Sequence, residues 1–382
     1  MNPPLINDKY TNNPNDRVLD SIIRKRNIGA PVVGMYCGYA PVELVRAMGA
    51  VPIFLCAFSR KTIPAAETVL PSNLCPLIKS SFGFIKTDTC PFYALSQAII
   101  GETTCDGKKK MFELISHIKP THIMDLPQLP EETEALEAWT IMVHKLRNWL
   151  EKTFGAKITD ERIESEIKET NRKNHLMNDL FSYAAHFPPV ISWNEMYDVI
   201  GFELVSNSDE LRLFLEDITA RLDERISKEE FIGAPRSPRV LVSGCPVGGD
   251  AAKVFKVVEE AGGVVVAMEA CSGMKGYSIH IDEDSGDPVA ALAKAYLKIP
   301  CSCMSPNQRR FDALDEMIDR FKPDAVIDVI LQACHSYNIE SYRIENHVRD
   351  KHHLSFLKVE TDFTESDRAM IKTRVEALFE SL

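Results

Sequence analysis

The sequence predicts an α/β protein of two Rossmann-like, doubly wound parallel-sheet domains with a helical insertion between them. Three observations carry this. A strand–helix–strand unit recurs in both halves of the chain. Both strands of each unit end in a cysteine. Between the halves the chain is charged and helix-periodic, with few strand signals. Parallel strands joined by crossover helices make open sheets, which bind ligands beyond the carboxyl ends of their strands. The boundaries read as 1–130 for the N-terminal domain, 131–235 for the insertion and 236–382 for the C-terminal domain.

In chain order, residues 1–30 are polar and Asn-rich and read as an arm and a short helix. VVGMYC is an apolar strand ending at Cys37. Pro41 then suits a first helical turn, Val42, Val45 and Met48 line one helix side, and Gly49 stops it. PIFLC is a second strand, ending at Cys56. AIIGETTC ends at Cys105 before the helical DGKKKMFELISHI. Three or four helices follow, closing in the turn-rich GAPRSPR. The second unit runs RVLVSGC to Cys245, then Pro246 and Gly248–Gly249 into a helix to Glu260. Gly262–Gly263 breaks it, and VVVAMEAC ends at Cys271. AVIDVILQAC ends at Cys334, FLKVETD is a last strand, and a helix follows from Glu365.

The 382 residues carry 44 Lys+Arg against 55 Asp+Glu, a net charge of -11, with 45% hydrophobic and 26% charged residues. That is ordinary globular composition. The acidic balance opposes binding to nucleic acid through phosphate neutralisation. No apolar stretch approaches the roughly 18 residues that span a bilayer, and the N-terminus lacks a secretory signal's basic and apolar regions. A cytoplasmic protein is expected.

Ten cysteines are then unusual. A reducing compartment leaves such thiols as core residues or metal ligands. Zinc fits weakly, because there is no CxxC pair and the only close pair is Cys301-x-Cys303. Iron–sulfur clusters are held by thiolates scattered over a fold. Cys75, Cys90 and Cys105 each precede a helix start, where free amides and the dipole favour thiolate. Core-filling cysteines would fall mid-strand as often as at strand ends, and six of the ten sit at predicted strand ends. His335 follows Cys334 and is a candidate proton relay. Glu360, at a strand end, is a candidate carboxylate. Lys108–Lys110 reads as a solvated helix face or a receiver of acidic groups. GCPVGGDAAK matches neither a dinucleotide nor a Walker loop.

LCPLIKSSFGF, DTCPFYA, GETTCDGKKKMFE, SGCPVGG, CSCMSPNQRR, DVILQACHSY and ETDFTESD resemble the 2-hydroxyacyl-CoA dehydratase and benzoyl-CoA reductase subunit superfamily. Within it the chain is most similar to the double-cubane cluster proteins. The resemblance runs from about residue 30 to the end. It implies two Rossmann-like domains with an iron–sulfur cluster in their cleft. In the dehydratases a 4Fe-4S cluster is held by three cysteines, matched here by Cys75, Cys105 and Cys334. A double cubane (8Fe-9S) needs more thiolates, and Cys90, Cys271, Cys301 and Cys303 are the favoured pool, with Cys37, Cys56 and Cys245 in reserve. The resemblance implies an ATP-dependent iron–sulfur activase as partner, a homodimer, and low-potential reduction of a small-molecule substrate. A dehydratase subunit with one 4Fe-4S cluster and a non-catalytic electron carrier are the alternatives.

Overall fold

The computed structural model describes residues 14–382; the N-terminal arm lies outside the described residues. The chain enters through α1 (Pro14–Asn27), β1 (Val32–Met35), α2 (Val42–Ala47) and β2 (Val51–Phe54). It continues through α3 (Ile63–Ala66), α4 (Pro76–Lys86), α5 (Pro91–Leu95), β3 (Ala98–Glu102), α6 (Asp106–Ser116) and β4 (Thr121–Met124). The four strands form one parallel sheet in the order β2-β1-β3-β4. The sequence pattern does not mark β4. It has four residues, and Met124 alone is fully buried, so no alternation develops.

Four helices follow: α7 (Ala135–Phe154), α8 (Asp160–Phe181), α9 (Trp193–Glu203) and α10 (Ser208–Ser227). Their ends are written locally. Ser192 with Glu195 and Asn207 with Glu210 form capping boxes, which satisfy free N–H groups of the first turn. Gly155 closes α7 in the left-handed region at φ 64°, where glycine is unstrained. On α7, Trp139, Val143, Leu146 and Leu150 recur at helical spacing and join the cluster that holds Val33, Met35 and Ile100, where α7 packs on β4 and on the later helix Pro288–Tyr296. Each such burial contributes roughly 1.5–3 kcal/mol. α8 straddles the two cores: Ile163 and Ile167 join that cluster, and Met177 and Leu180 join the larger one, which holds side chains of both sheets.

The second half repeats the plan with β5 (Arg239–Gly244), α11 (Lys253–Glu260), β6 (Val264–Glu269), α12 (Pro288–Tyr296), α13 (Gln308–Phe321), β7 (Ala325–Leu331), α14 (His335–His352), β8 (Ser355–Thr361) and α15 (Arg368–Glu380). The order β6-β5-β7-β8, again all parallel, matches the first sheet strand for strand. β5, β6 and β7 are buried along their whole length, as strands covered on both faces must be. The halves are also bonded directly. Tyr39 donates its hydroxyl to the Ile299 carbonyl at 3.0 Å, Tyr296 donates to Glu43 at 2.9 Å, and the Arg60 N–H donates to Asp250 at 2.8 Å. No helix among the described residues is long and apolar enough to cross a membrane.

Candidate metal centre

In each sheet the crossover direction reverses beside the first strand, at β1/β3 and at β5/β7. Loops diverge there and leave a crevice at the strand ends. Both crevices are lined with sulfur. Cys37 follows β1 and Cys105 follows β3; in the repeat, Cys245 follows β5 and Cys334 follows β7. Cys56 after β2 and Cys271 after β6 complete the correspondence. Two backbone features set the second crevice. Gly244 has φ +113°, and a Cβ there would stand 2.2 Å from the Val329 carbonyl oxygen, so only glycine lets β5 run this close to β7. Ala333 takes φ 58° just before Cys334, a conformation that costs a non-glycine residue of order 1 kcal/mol or more and gathers at functional sites.

The cysteines fall into two neighbouring groups. In the first, the Cys245 thiol hydrogen-bonds to Cys334, and Cys75 lies in the field of Cys334 and Cys105. Cys75, Cys105 and Cys334 are the N-cap residues of α4, α6 and α14. In the second, Cys303 hydrogen-bonds to Cys301, Cys271 neighbours Cys301, and Cys303 lies near Cys37 and 3.9 Å from the Tyr39 hydroxyl. Cys334 and Cys301 feel one another across the groups. Cys56 donates to the Tyr36 carbonyl at 2.8 Å. Cys90 is not brought to these groups: it caps α5, accepts the Tyr93 N–H at 3.3 Å, and has Lys119 as its cationic neighbour.

Helix N-termini do not make Cys75, Cys90 and Cys105 thiolates by themselves, contrary to the expectation from sequence. Burial pushes all three thiols up, Cys75 to about 12, and outweighs the backbone N–H groups that pull them down. Desolvation penalises an anion more than a few amide bonds repay. Cys301 and Cys334 are lowered by the hydrogen bonds that Cys303 and Cys245 give them. Cys105 and Cys271 are exposed, yet burial raises both. Side chains lining a solvent-open recess behave so.

Two lysines sit among these thiols. The Lys108 ammonium lies 2.7 Å from Cys37 Sγ. Burial lowers its pKa, and Cys37, Cys56 and Cys105, as thiolates, raise it by more. Lys275, 2% exposed, lies 2.5 Å from Glu269 and in the field of Cys271 and Cys301. Cys37 itself is pushed up by burial, so without a metal Lys108 faces a neutral thiol. Lys275 already has Glu269 as its anion; the half-buried Lys108 is drawn to Cys37 instead, and a coordinating cation would give it an anionic partner by deprotonating that thiol. The donor set is all sulfur. Among the described residues no three cysteine sulfurs lie within 4.8 Å of one another, so the thiols do not close on a single ion. Thiolates dispersed around a recess and facing cations suit an anionic multi-iron cluster.

Other groups complete the site. Glu102, at the end of β3, is fully buried; it accepts the Ala40 N–H at 2.8 Å on one oxygen, and the other has no partner. Burial raises its carboxyl to about 7. His335 opens α14, exposed, directly after Cys334. Glu360 is exposed on the edge strand β8, with the Asn338 amide at 3.4 Å. A recess of about 320 Å³ at the ends of β3 and β4 is lined by Thr103, Cys105, Asp106, Lys109, Asp125 and Gln128. Lys275 and Glu102 are participants that sequence reasoning missed, and Lys108, read from the sequence with Lys109 and Lys110 as one face, turns inward to Cys37. For Glu102 a signal existed, a carboxylate inside a strand that is otherwise apolar.

The sequence matches the family described as 2-hydroxyglutaryl-CoA dehydratase, D-component, over residues 37–382. It is 41% identical over 355 residues to "Putative dehydratase subunit YjiM" of Escherichia coli (strain K12), covering 93% of this chain and 92% of that one. It is 22% identical over 363 residues to the (R)-phenyllactyl-CoA dehydratase beta subunit of Clostridium sporogenes, covering 93% and 92%. It is 23% identical over 365 residues to the lactoyl-CoA dehydratase subunit beta of Anaerotignum propionicum, covering 94% and 93%.

Proposed function

The chain belongs to the 2-hydroxyglutaryl-CoA dehydratase, D-component family, and on that premise we propose that it is an iron–sulfur enzyme subunit holding a double cubane for ATP-dependent, low-potential electron transfer to a small molecule. The observation that supports this most is the second thiol group. A single three-cysteine cluster needs Cys75, Cys105 and Cys334 only, and leaves Cys37, Cys271, Cys301 and Cys303 gathered next to it without a task.

When bound, the cluster supplies one-electron reduction. Cys75, Cys105 and Cys334 hold one half, with the Cys245 thiol hydrogen-bonded to Cys334. Cys37, Cys271 and Cys301 hold the other, with Cys303 beside Cys301. Lys108 and Lys275 balance the negative charge of the thiolates. Glu102, its carboxyl raised to about 7 by burial, exchanges a proton next to the thiols near neutral pH. The recess beside Cys105 admits the substrate. The exposed Lys109 and Lys110 form the face for an ATP-dependent activase, and two copies of the chain associate as a homodimer. A dehydratase subunit with one 4Fe-4S cluster is the second reading, favoured by the names of the relatives.

Iron and acid-labile sulfide per chain, measured after anaerobic purification, decide between the two. About eight irons are expected, against about four for a single cubane. Cys75→Ala, Cys105→Ala and Cys334→Ala should each lower bound iron and the brown absorbance. Cys37→Ala and Cys301→Ala should also do so, while Cys90→Ala should keep the wild-type content. Full iron in both the Cys37 and Cys301 variants rules out the second cubane. Turnover driven by a plain chemical reductant without ATP removes the activase.

A further inference from the structure

We propose that Asp315, His347 and His352 form an accessory site for a borderline divalent cation, zinc first, which fastens α13 to the C-terminal end of α14. One carboxylate oxygen and two imidazole nitrogens from the two helices lie within 4.8 Å of one another. His347 Nε2 stands 2.6 Å and His352 Nε2 2.5 Å from the same atom, Asp315 Oδ1. Lys351 Nζ donates to the other oxygen, Oδ2, at 2.6 Å. The three side chains are 19%, 18% and 12% exposed in that chain order, so the group is neither sealed in the core nor loose on the surface. Phe311 on α13 meets the His347 ring edge-to-face at 5.0 Å, and the two imidazoles are 5.6 Å apart, which holds both rings in place.

Two imidazole N–H groups aimed at one carboxylate oxygen leave that oxygen's partners exchangeable for one ion. Each neutral ring moves its proton to Nδ1 and turns an Nε2 lone pair inward. The cation replaces the two N–H···O bonds with two bonds to nitrogen of about 2.0–2.1 Å and one to oxygen of about 2.0–2.2 Å. A neutral ring only shifts its proton from one nitrogen to the other, and a protonated ring releases one proton to solvent. Lys351 keeps the second oxygen and orients the carboxylate, as outer hydrogen bonds do in metal sites. Lys351 and the two imidazoles surround the Asp315 carboxylate with donors, which favours its ionised form. Two imidazoles and one carboxylate select zinc, cobalt or nickel over magnesium or calcium.

The position gives the ion a structural role. α13 begins just after the Cys301-x-Cys303 loop, and α14 begins at Cys334. Near their beginnings the two helices are already tied by Arg310 and Glu340 at 2.6 Å. The new site ties them farther along, so the pair is fixed at two levels. This does not depend on what the cysteines hold.

The test uses the full iron-loaded chain, kept anaerobic, with Zn²⁺ alone as the titrant in equilibrium dialysis. One zinc per chain is expected. His347→Gln/His352→Gln and, separately, Asp315→Asn should weaken it at least about tenfold with iron content unchanged. The melting temperature should rise with zinc in the wild type and stay level in the variants. Co²⁺ should bind without a thiolate charge-transfer band. Equal uptake in wild type and variants, a thiolate band with cobalt, or no uptake at all each overturns the proposal; the last leaves a hydrogen-bonded His–Asp–His cluster and nothing more.

Discussion

The Lys108 ammonium reaches from the first turn of α6 to within 2.7 Å of Cys37 Sγ, the thiol that ends β1. Its worth depends on the charge of that sulfur. Next to a protonated thiol it is a half-buried cation whose acidic neighbour, Glu102, is itself pushed up by burial; next to a metal-bound thiolate it is half of an ion pair. Lys108→Met should therefore act with opposite signs on two forms of the protein. The metal-free chain should gain about 1 kcal/mol, the low end of the range seen when buried ion pairs give way to apolar groups, because Lys108 is only half-buried. The iron-loaded chain should lose stability and iron. Paired thermal melts of the two forms check this, and a shift of the same sign in both would refute the charge-balance role.

Arg310 is fully buried and meets three carboxylates: Glu340 at 2.6 Å, Glu269 at 3.1 Å and Asp328 at 3.5 Å. The Ser243 hydroxyl accepts from the same guanidinium at 2.9 Å, and the Tyr337 ring lies 4.8 Å from it. Removing the cation strands buried anions. Arg310→Met should lower unfolding free energy by about 3–5 kcal/mol, measured by denaturant titration. On the surface, Arg212→Ala breaks the exposed pair with Glu216 and should change it by less than about 1 kcal/mol.

Glu102 gives a pH dependence with a definite sign. Its folded pKa is raised by burial to about 7 from 4.5. Between those values the folded chain keeps a proton that the unfolded chain releases. Stability from this group is thus present below pH 4.5 and declines as pH rises to 7, by at most about 3 kcal/mol. Glu102→Gln should flatten that part of the curve. Melting temperature against pH for both proteins is the measurement, and identical slopes would show that Glu102 does not titrate there.

The strands carrying Cys105, Cys245 and Cys334 are legible in the sequence because each is an apolar run stopped by a turn residue, and periodicity alone marks it. Side-chain direction is not legible. Cys75 and Cys90 share the same Cys-Pro device and both cap helices, yet Cys75 faces Cys334 and Cys105 while Cys90 faces Tyr93 and Lys119. In Lys108–Lys110 three identical residues divide, with Lys108 turned inward and the other two in solvent. Arg309 and Arg310 are neighbours of one type. The first pairs with Glu131 while 34% exposed, and the second is sealed under the sheet. Tertiary packing makes these choices, and no local pattern records them.

Cys75 and Cys334 are electrostatic neighbours in the folded chain and stand 334 − 75 = 259 residues apart in it. A ribosome adds about 5–20 residues per second, so the first thiol waits on the order of 10–50 seconds for the second to be made. The early thiols therefore emerge from the ribosome before their partners exist. If these thiols share an inorganic group as proposed, its loading belongs after synthesis is complete, and the period between is when oxidants or competing ions find these sulfurs open. Expression under air, or with surplus zinc or copper, should thus do its harm to nascent chains rather than to finished ones.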